Sequence, residues 1–452
     1  MAAAASTVAV SALDHIRLNQ SANPDPATAQ LIALETDIKE GRIDAAIAAL
    51  KAFNLAYPTD VRALLFDALI ARALKKTPYE LKALHRATTL APNWPRAFLE
   101  SALTLSREGR HPEALTAAET AVNLAPNERP PLEAAIAVAN SAGNPQLALS
   151  YLRKAHALWP GDLGFDRQLG AILTNLRRYD EADRHWREFL AKHPDDSTAE
   201  INYSMTLAAL GRAEEAVALL ERTHRREPDN ATVAFYLASA RGETPASQPP
   251  ELVQGLFDGY ADYFDRQLVG QLKYRVPRRV AEIIRARGRD RFDLLDLGCG
   301  TGLMGVYLGK ASGKLVGVDL SPRMLEQARR HNLYTDLKQA DLLAALREMP
   351  PASFDIVTAN DVFIYVGELA AVIPACFGVL RPGGALIFSC EAADAAEGAL
   401  VLRPSKRYAH SRASIEALCR TAGFSNCTME DIDVRLENNV PIPGFIAIAE
   451  KA

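Results

Sequence analysis

Residues 292–302 read FDLLDLGCGTG, an apolar run that ends in an acid and then alternates three glycines with a cysteine and a threonine. A short apolar run closed by glycines predicts a buried parallel strand that turns sharply into the next element. Asp296 closes the strand. Gly298, Gly300 and Gly302, spaced by Cys299 and Thr301, permit positive φ and leave room for a ligand against bare backbone. A helical segment follows at residues 303–311, so its N-terminal amides face the same space. This is the chemistry of a nucleotide-type site at the carboxyl edge of a doubly wound sheet.

The next acids narrow the ligand. Asp319 ends a second strand, residues 314–319, and a carboxylate there can accept both ribose hydroxyls of an adenosine. That suits NAD as well as S-adenosylmethionine. The spacing GCGTG after an acid is not GxGxxG, however. Ser321-Pro322 opens a helix directly after Asp319, and a third acid, Asp341, ends a third strand after Gln339-Ala340. The alternative role for Asp319 and Asp341 is helix N-capping. A fourth strand, residues 354–359, delivers Asn360, Asp361, Val362 and Phe363 to the same edge. Asp361 is a candidate general base there. His410, in a loop expected at 402–411, is the preferred candidate because its ordinary pKa lies near neutrality.

These side chains need a frame. Strands are expected at 292–297, 314–319, 336–340, 354–359, 384–390, 427–435 and 443–450. Helices are expected at 277–287, 302–311, 322–331, 341–347, 367–380 and 411–422. Alternation at this spacing means a mostly parallel sheet with helices on both faces. Glu437-Asn438-Asn439 is too short for a crossover, so the last two strands pair antiparallel.

This layout resembles the class I S-adenosylmethionine-dependent methyltransferases, and the motif from Asp296 to Gly302 matches that family's first motif. The resemblance implies a Rossmann-like seven-stranded sheet with its last strand antiparallel. It also implies a cofactor, S-adenosylmethionine, and a product, S-adenosylhomocysteine. Carried onto this chain, it places Leu320, Met324 and Leu342 beside the cofactor, with Asp341 at the adenine amino group. Asn360 and Asp361 line the methionine end or the acceptor pocket. Tyr260 and Tyr263 fall in the segment that forms a lid over the cofactor in the family, and Tyr260 is a further catalytic candidate. Tyr274 and Arg275 would hold the methionine carboxylate.

A different pattern fills the first half. Pro58, Pro92, Pro126, Pro160, Pro194 and Pro228 stand 34 residues apart without a slip. Gly41, Gly109, Gly143 and Gly211 precede four of them at a fixed offset, and Ala46, Ala114, Ala148, Ala182 and Ala216 precede five. Glu80 takes the alanine's place in the second unit. The glycine permits a tight turn between helices A and B, the alanine lets them approach closely, and the proline ends helix B. Units of this kind must stack to bury their apolar faces. The period and these positions resemble the tetratricopeptide repeat.

The expected layout is therefore an N-terminal extension (1–26), an α-solenoid of six repeats and a capping helix (27–241), a linker (242–250) and a methyltransferase domain (251–452). The whole resembles predicted bacterial methyltransferases that carry such an array. The match extends to FDGYADYFD, to Asn360-Asp361-Val362 and to Arg407-Tyr408-Ala409-His410-Ser411. By that resemblance the concave face binds a peptide or protein, or the array self-associates into a homo-oligomer. Asn175, Arg177 and Asn202 are polar candidates near helix A.

Composition sets limits. Over 452 residues the formal charge is −4, without the basic footprint of a nucleic-acid binder. The five cysteines have no CxxC spacing, which argues for reduced thiols in the cytoplasm and against zinc. No signal peptide or membrane-length apolar run is read. The expected activity is methyl transfer to a polypeptide recruited by the repeats. The alternatives are a small-molecule O- or N-methyltransferase with self-associating repeats, and a scaffold whose cofactor domain is not catalytic.

Overall fold

The computed structural model describes residues 26–260, 274–288, 291–310, 313–394, 396–437 and 440–452. The N-terminal region is helical: α1 (Pro26–Lys39), α2 (Ile43–Ala56), α3 (Arg62–Ala73), α4 (Thr77–Leu90), α5 (Pro95–Arg107), α6 (His111–Leu124), α7 (Arg129–Ser141), α8 (Pro145–Leu158), α9 (Leu163–Asn175), α10 (Tyr179–Lys192), α11 (Ser197–Ala209), α12 (Ala213–Arg226) and α13 (Ala231–Ala240). From α2 to α12 the even-numbered helices all start 34 residues apart and end two residues before a proline of the series. Pro lacks the N–H that would continue the ladder and restricts the residue before it.

The chain divides into two compact units between Pro194 and Asp195. The expected boundary, residues 242–250, lies instead inside the second unit.

In the first unit each turn between paired helices passes through the left-handed region. Gly41, Gly109 and Gly143 do so, and so do Lys75 (φ 56°) and Arg177 (φ 58°) at the equivalent positions. The second repeat thus keeps its turn without a glycine. Arg177 sits in such a turn, just past the end of α9 (Leu163–Asn175). Ala46, Ala114, Ala148 and Ala182 are fully buried, as the close approach of the helices requires. Glu80 is buried in the same place, accepting from Arg72 Nε at 2.8 Å, Arg107 Nη2 at 2.7 Å and Thr104 Oγ1 at 2.7 Å. A compensated charge stands where the other repeats have a methyl group.

The second unit opens with α11–α13, and Gly211 and Ala216 keep the same roles. Then come α14 (Pro250–Tyr260) and α15 (Val276–Ala286). The sheet is built from β1 (Leu294–Leu297), β2 (Leu315–Asp319), β3 (Asp336–Gln339), β4 (Phe354–Ala359), β5 (Leu380–Ala392), β6 (Leu400–Leu402), β7 (Tyr408–His410), β8 (Asn426–Glu437) and β9 (Val440–Glu450). Interleaved are α16 (Leu303–Leu308), α17 (Pro322–Arg330), α18 (Leu342–Glu348), α19 (Val372–Val379) and α20 (Arg412–Ala422). Strands β3-β2-β1-β4-β5 run parallel, and β9 joins β5 antiparallel with β8 outside it. This Rossmann-like sheet contains the seven expected strands. Two more, β6 and β7, occupy the stretch expected to be a loop. They form a hairpin, and β7 takes the edge of β5 beyond the end of β4, Glu391 facing Ala409.

Strands β1, β4 and β5 are buried nearly throughout, and their apolar side chains form cores on both faces of the sheet. That double burial explains why they read as continuous apolar runs.

Candidate active site

The loops at the carboxyl ends of β1, β2 and β4 enclose a cavity of about 690 Å³. Asp296, Gly298, Cys299, Gly300, Thr301, Asp319, Leu320, Asp341, Leu342, Asn360, Asp361 and Tyr274 all line it. Residues far apart in sequence meet there because parallel strands bring their carboxyl ends to one edge.

Asp296 is buried and fully engaged: Tyr334 Oη donates to its Oδ2 at 2.7 Å and Thr358 Oγ1 to its Oδ1 at 2.8 Å. It anchors the loop. Asp319 accepts from Gly300 N at 2.8 Å and Ser321 N at 2.9 Å. Burial pushes both carboxyls up to about 6, against the hydrogen bonds they accept. Ser321, not Asp319, caps α17, its Oγ accepting from Met324 N. Asp341 does cap α18, through Leu343 N and Ala344 N, and lines the cavity as well.

Gly298 has φ 62°, and a Cβ built there would lie 2.4 Å from Val362 Cγ2. The loops after β1 and β4 touch at this point, so the glycine is needed for space as well as for its backbone conformation. Asp361 itself is left-handed, φ 59°, with its N–H on Ser389 Oγ at 2.8 Å. Its Oδ2 accepts from Arg435 Nη1 at 3.0 Å. Arg435 also bonds Glu391 through Nη2. Burial alone would lower the Arg435 guanidinium, but Asp361 and Glu391 outweigh it and hold it above its ordinary value. Burial, with Asp361 adding to it, pushes the Tyr274 hydroxyl well up.

Several expected residues lie elsewhere. His410 is buried in β7, donates from Nε2 to Gly367 O at 2.8 Å, and does not line the cavity. Burial lowers its pKa, against the hydrogen bond to Gly367 O. Met324 is buried on α17 and does not line the cavity. Gly302 makes room for packing: a Cβ there would stand 3.0 Å from Tyr334 and 3.2 Å from Ala328 Cβ. Arg275 is exposed at the N-terminus of α15 and does not line the cavity. Tyr263 lies outside the described residues, and the side chain of Tyr260, the last residue of α14, is likewise not described.

Other lining residues were not anticipated: Gln248, Tyr365, Arg407 and Arg435. Arg435 was hidden by a register shift between Asp433 and Arg435 in β8. It buries Val434 and Arg435 in succession, where alternation would send one of them to solvent.

The model for the methyltransferase domain matches residues 295–388, from β1 into β5. A ubiquinone biosynthesis O-methyltransferase of Hydrogenovibrio crunogenus is 30% identical over 164 residues, 33% of this chain and 68% of the relative. The chain belongs to the methyltransferase family. A ubiquinone biosynthesis O-methyltransferase of Idiomarina loihiensis is 35% identical over 99 residues, 21% of this chain and 41% of the relative. The chain thus spans well under half the length of that relative. A magnesium protoporphyrin IX methyltransferase from Synechocystis, solved with S-adenosylhomocysteine, covers 45% of this chain and 99% of its own at 20% identity and TM-score 0.36.

The methyltransferase cofactor is S-adenosylmethionine, and the cavity fits it. Asn360 Oδ1 and Nδ2 and Asp361 Oδ1 are buried without a hydrogen-bond partner among the described residues, and both residues line the cavity. Buried polar atoms without partners are costly, and a ligand with an amino group and a carboxylate would satisfy them. Asp319 offers the carboxylate for ribose hydroxyls. Leu320 and Leu342 offer apolar contact.

Proposed function

We propose that this chain transfers a methyl group from S-adenosylmethionine to a small-molecule acceptor, with oxygen as the favoured atom. The observation that carries the reading is the single cavity that joins the glycine loop and Asp319 to the unpartnered atoms of Asn360 and Asp361. The names of the two curated relatives support a small molecule over the expected polypeptide acceptor.

When bound, S-adenosylmethionine supplies an activated methyl on a positively charged sulfur. The chain's task is then alignment and exclusion of water, which contributes roughly 7–11 kcal/mol at best. Asp319 and Asp341 orient the adenosine end. Asn360, fixed at the end of β4, orients the other. A hydroxyl acceptor must lose its proton, and Asp361 Oδ1 is our candidate to take it. Arg435 holds the opposite oxygen, so the free one keeps its aim.

Calorimetric titration with S-adenosylhomocysteine tests the cofactor site, and the absence of binding would sink the reading. Transfer of labelled methyl is then followed in two fractions of a cell extract. Label in the metabolite fraction supports the small-molecule acceptor; label only in protein bands would restore the polypeptide.

We further propose that the helical region is a tetratricopeptide solenoid that binds a polypeptide partner or a second copy of the chain. The 34-residue recurrence of helix ends and left-handed turns supports this. Pull-down of interacting peptides by residues 1–452, and sedimentation of the chain alone, would separate the two. No described helix is long and apolar enough to cross a membrane.

A further inference from the structure

Residues 242–250, which read as a linker, form part of the cavity wall. Gln248 N donates to Tyr365 O at 3.0 Å, Glu368 N donates to Ala246 O at 2.7 Å, and Ser247 bridges Val366 antiparallel. Ala246, Ser247, Gln248 and Pro250 line the cavity. They do so along the segment that follows β4, on the opposite side of β1 from Asp319 and Asp341. Gly367 is pressed between this segment and β7: a Cβ there would lie 2.9 Å from Ala246 O and 2.7 Å from the Tyr408 ring.

One residue ties three elements together at this wall. Lys406 sits at the tip of the β6–β7 hairpin with φ 64°. Its Nζ donates to Ser239 Oγ of α13 at 2.6 Å and lies 5.8 Å from the centre of the Tyr236 ring on the same helix. Its carbonyl accepts from the Gln248 side chain, which is itself buried. Its neighbour Arg407 reaches the cavity. An apolar side chain would pack against Tyr236 at less desolvation cost. The ammonium adds direction, because it must meet an oxygen and a ring face together.

We propose that Lys406 is a positioning residue that fixes the 246–250 segment as the acceptor-side wall, so that the last helix of the repeat region, α13, sets the shape of the acceptor site. This rests on the reading of the cavity as a methyltransferase site. On this view α13 is not a separable attachment, and a ligand that shifts it would move the wall through Lys406.

The test uses the full chain and its Lys406→Met and Lys406→Arg variants, with S-adenosylhomocysteine as the probe. Amide exchange of Gln248 and Glu368 reports the wall directly. In Lys406→Met these two amides should exchange about tenfold faster or more, while β1 keeps its protection, because only a local opening is eased. Lys406→Arg keeps both the charge and a donor and should restore the parent rates. Unchanged protection of Gln248 and Glu368 in Lys406→Met would overturn the proposal. Loss of protection that spreads to β1, or failure of arginine to rescue, would overturn it as well. Lack of probe binding by the parent chain would remove the cofactor reading instead, and the exchange rates would still decide the role of Lys406.

Discussion

The helical repeats and the glycine loop both depend on left-handed backbone, and they use it for different reasons. In the repeats the position recurs at Gly41, Lys75, Gly109, Gly143, Arg177 and Gly211. A Cβ at Gly41 or Gly211 would meet nothing within 4 Å, and two repeats manage with a basic residue. There the conformation is needed and glycine is a convenience. At Gly298 the conformation has the same sign, but a Cβ would collide with Val362 at 2.4 Å. There the absence of a side chain is itself the function, because it lets two loops close on one cavity.

The largest effect should follow from filling that space. Gly298→Ala must push Val362 and the loop after β4 apart. Overpacking of this kind costs about 1–3 kcal/mol, with about 1–2 kcal/mol more for an alanine at positive φ. Calorimetry should show affinity for S-adenosylhomocysteine falling by well over tenfold. If Gly298→Ala bound the ligand like the parent, the loop would not be the close-fitting element that the contrast requires.

Buried acids extend the comparison. Glu100 in the repeats is lifted by burial, but Arg72 and Arg96 outweigh this and hold its carboxyl below the usual range. Asp319 has only backbone donors and rises to about 6. The signs are therefore opposite. Glu100 contributes stability that is present above the unfolded carboxylate pKa and is lost as pH falls. Asp319 binds its proton more tightly in the folded chain, so ligand-free stability declines as pH rises from about 4 to about 6. The ionised form is the better acceptor for ribose hydroxyls. Affinity for S-adenosylhomocysteine should then weaken as pH drops below about 6, by up to about tenfold per unit. Trp94, Trp159 and Trp186 all lie before residue 195, so intrinsic fluorescence reads the repeats separately. It should show no loss of structure in the same window. An affinity flat from pH 5 to 7.5 would remove Asp319 from ribose binding.

What could be read from the sequence follows the same division. Thirty-four-residue periodicity is a local code: each proline, alanine and turn residue acts on its own helix pair, so the helix ends are legible. The glycine loop and the three acids were legible because each stands at or just past the carboxyl end of a strand. The wall at 246–250, the hairpin at Lys406 and the Arg435 brace were not. They depend on pairings across more than a hundred residues and on one bulge, and neither leaves a mark in composition. A histidine near a predicted site invites a catalytic role, whereas the burial of His410 against Gly367 O appears only in the fold.

Gly170 sharpens the contrast from inside the repeats. It lies in the middle of α9 with an ordinary φ, but a Cβ would fall 2.4–2.7 Å from the Trp186 ring. This glycine is of the loop's kind, needed for space. Gly170→Ala gains up to about 1 kcal/mol in helix propensity and pays about 1–3 kcal/mol for overpacking. A net loss near 1 kcal/mol should appear as a lower midpoint in denaturant, read by tryptophan fluorescence. A stabilised variant would show that Trp186 yields easily and that the repeats tolerate side chains everywhere.

The smallest effects belong to the turns themselves, and they should come in opposite signs. Gly211→Ala places an alanine at φ 76° with open space around it. The left-handed penalty of about 1–2 kcal/mol is partly offset by the smaller entropy of the unfolded alanine chain, about 0.4–1 kcal/mol. Arg177→Gly reverses both terms at φ 58°. The first variant should therefore lose, and the second gain, under about 1 kcal/mol in denaturant unfolding. Ligand affinity should stay as in the parent for both, since neither residue lines the cavity. Were Arg177→Gly to destabilise instead, its side chain would be contributing contacts that the repeat pattern does not predict, and the turn would no longer be a matter of backbone alone.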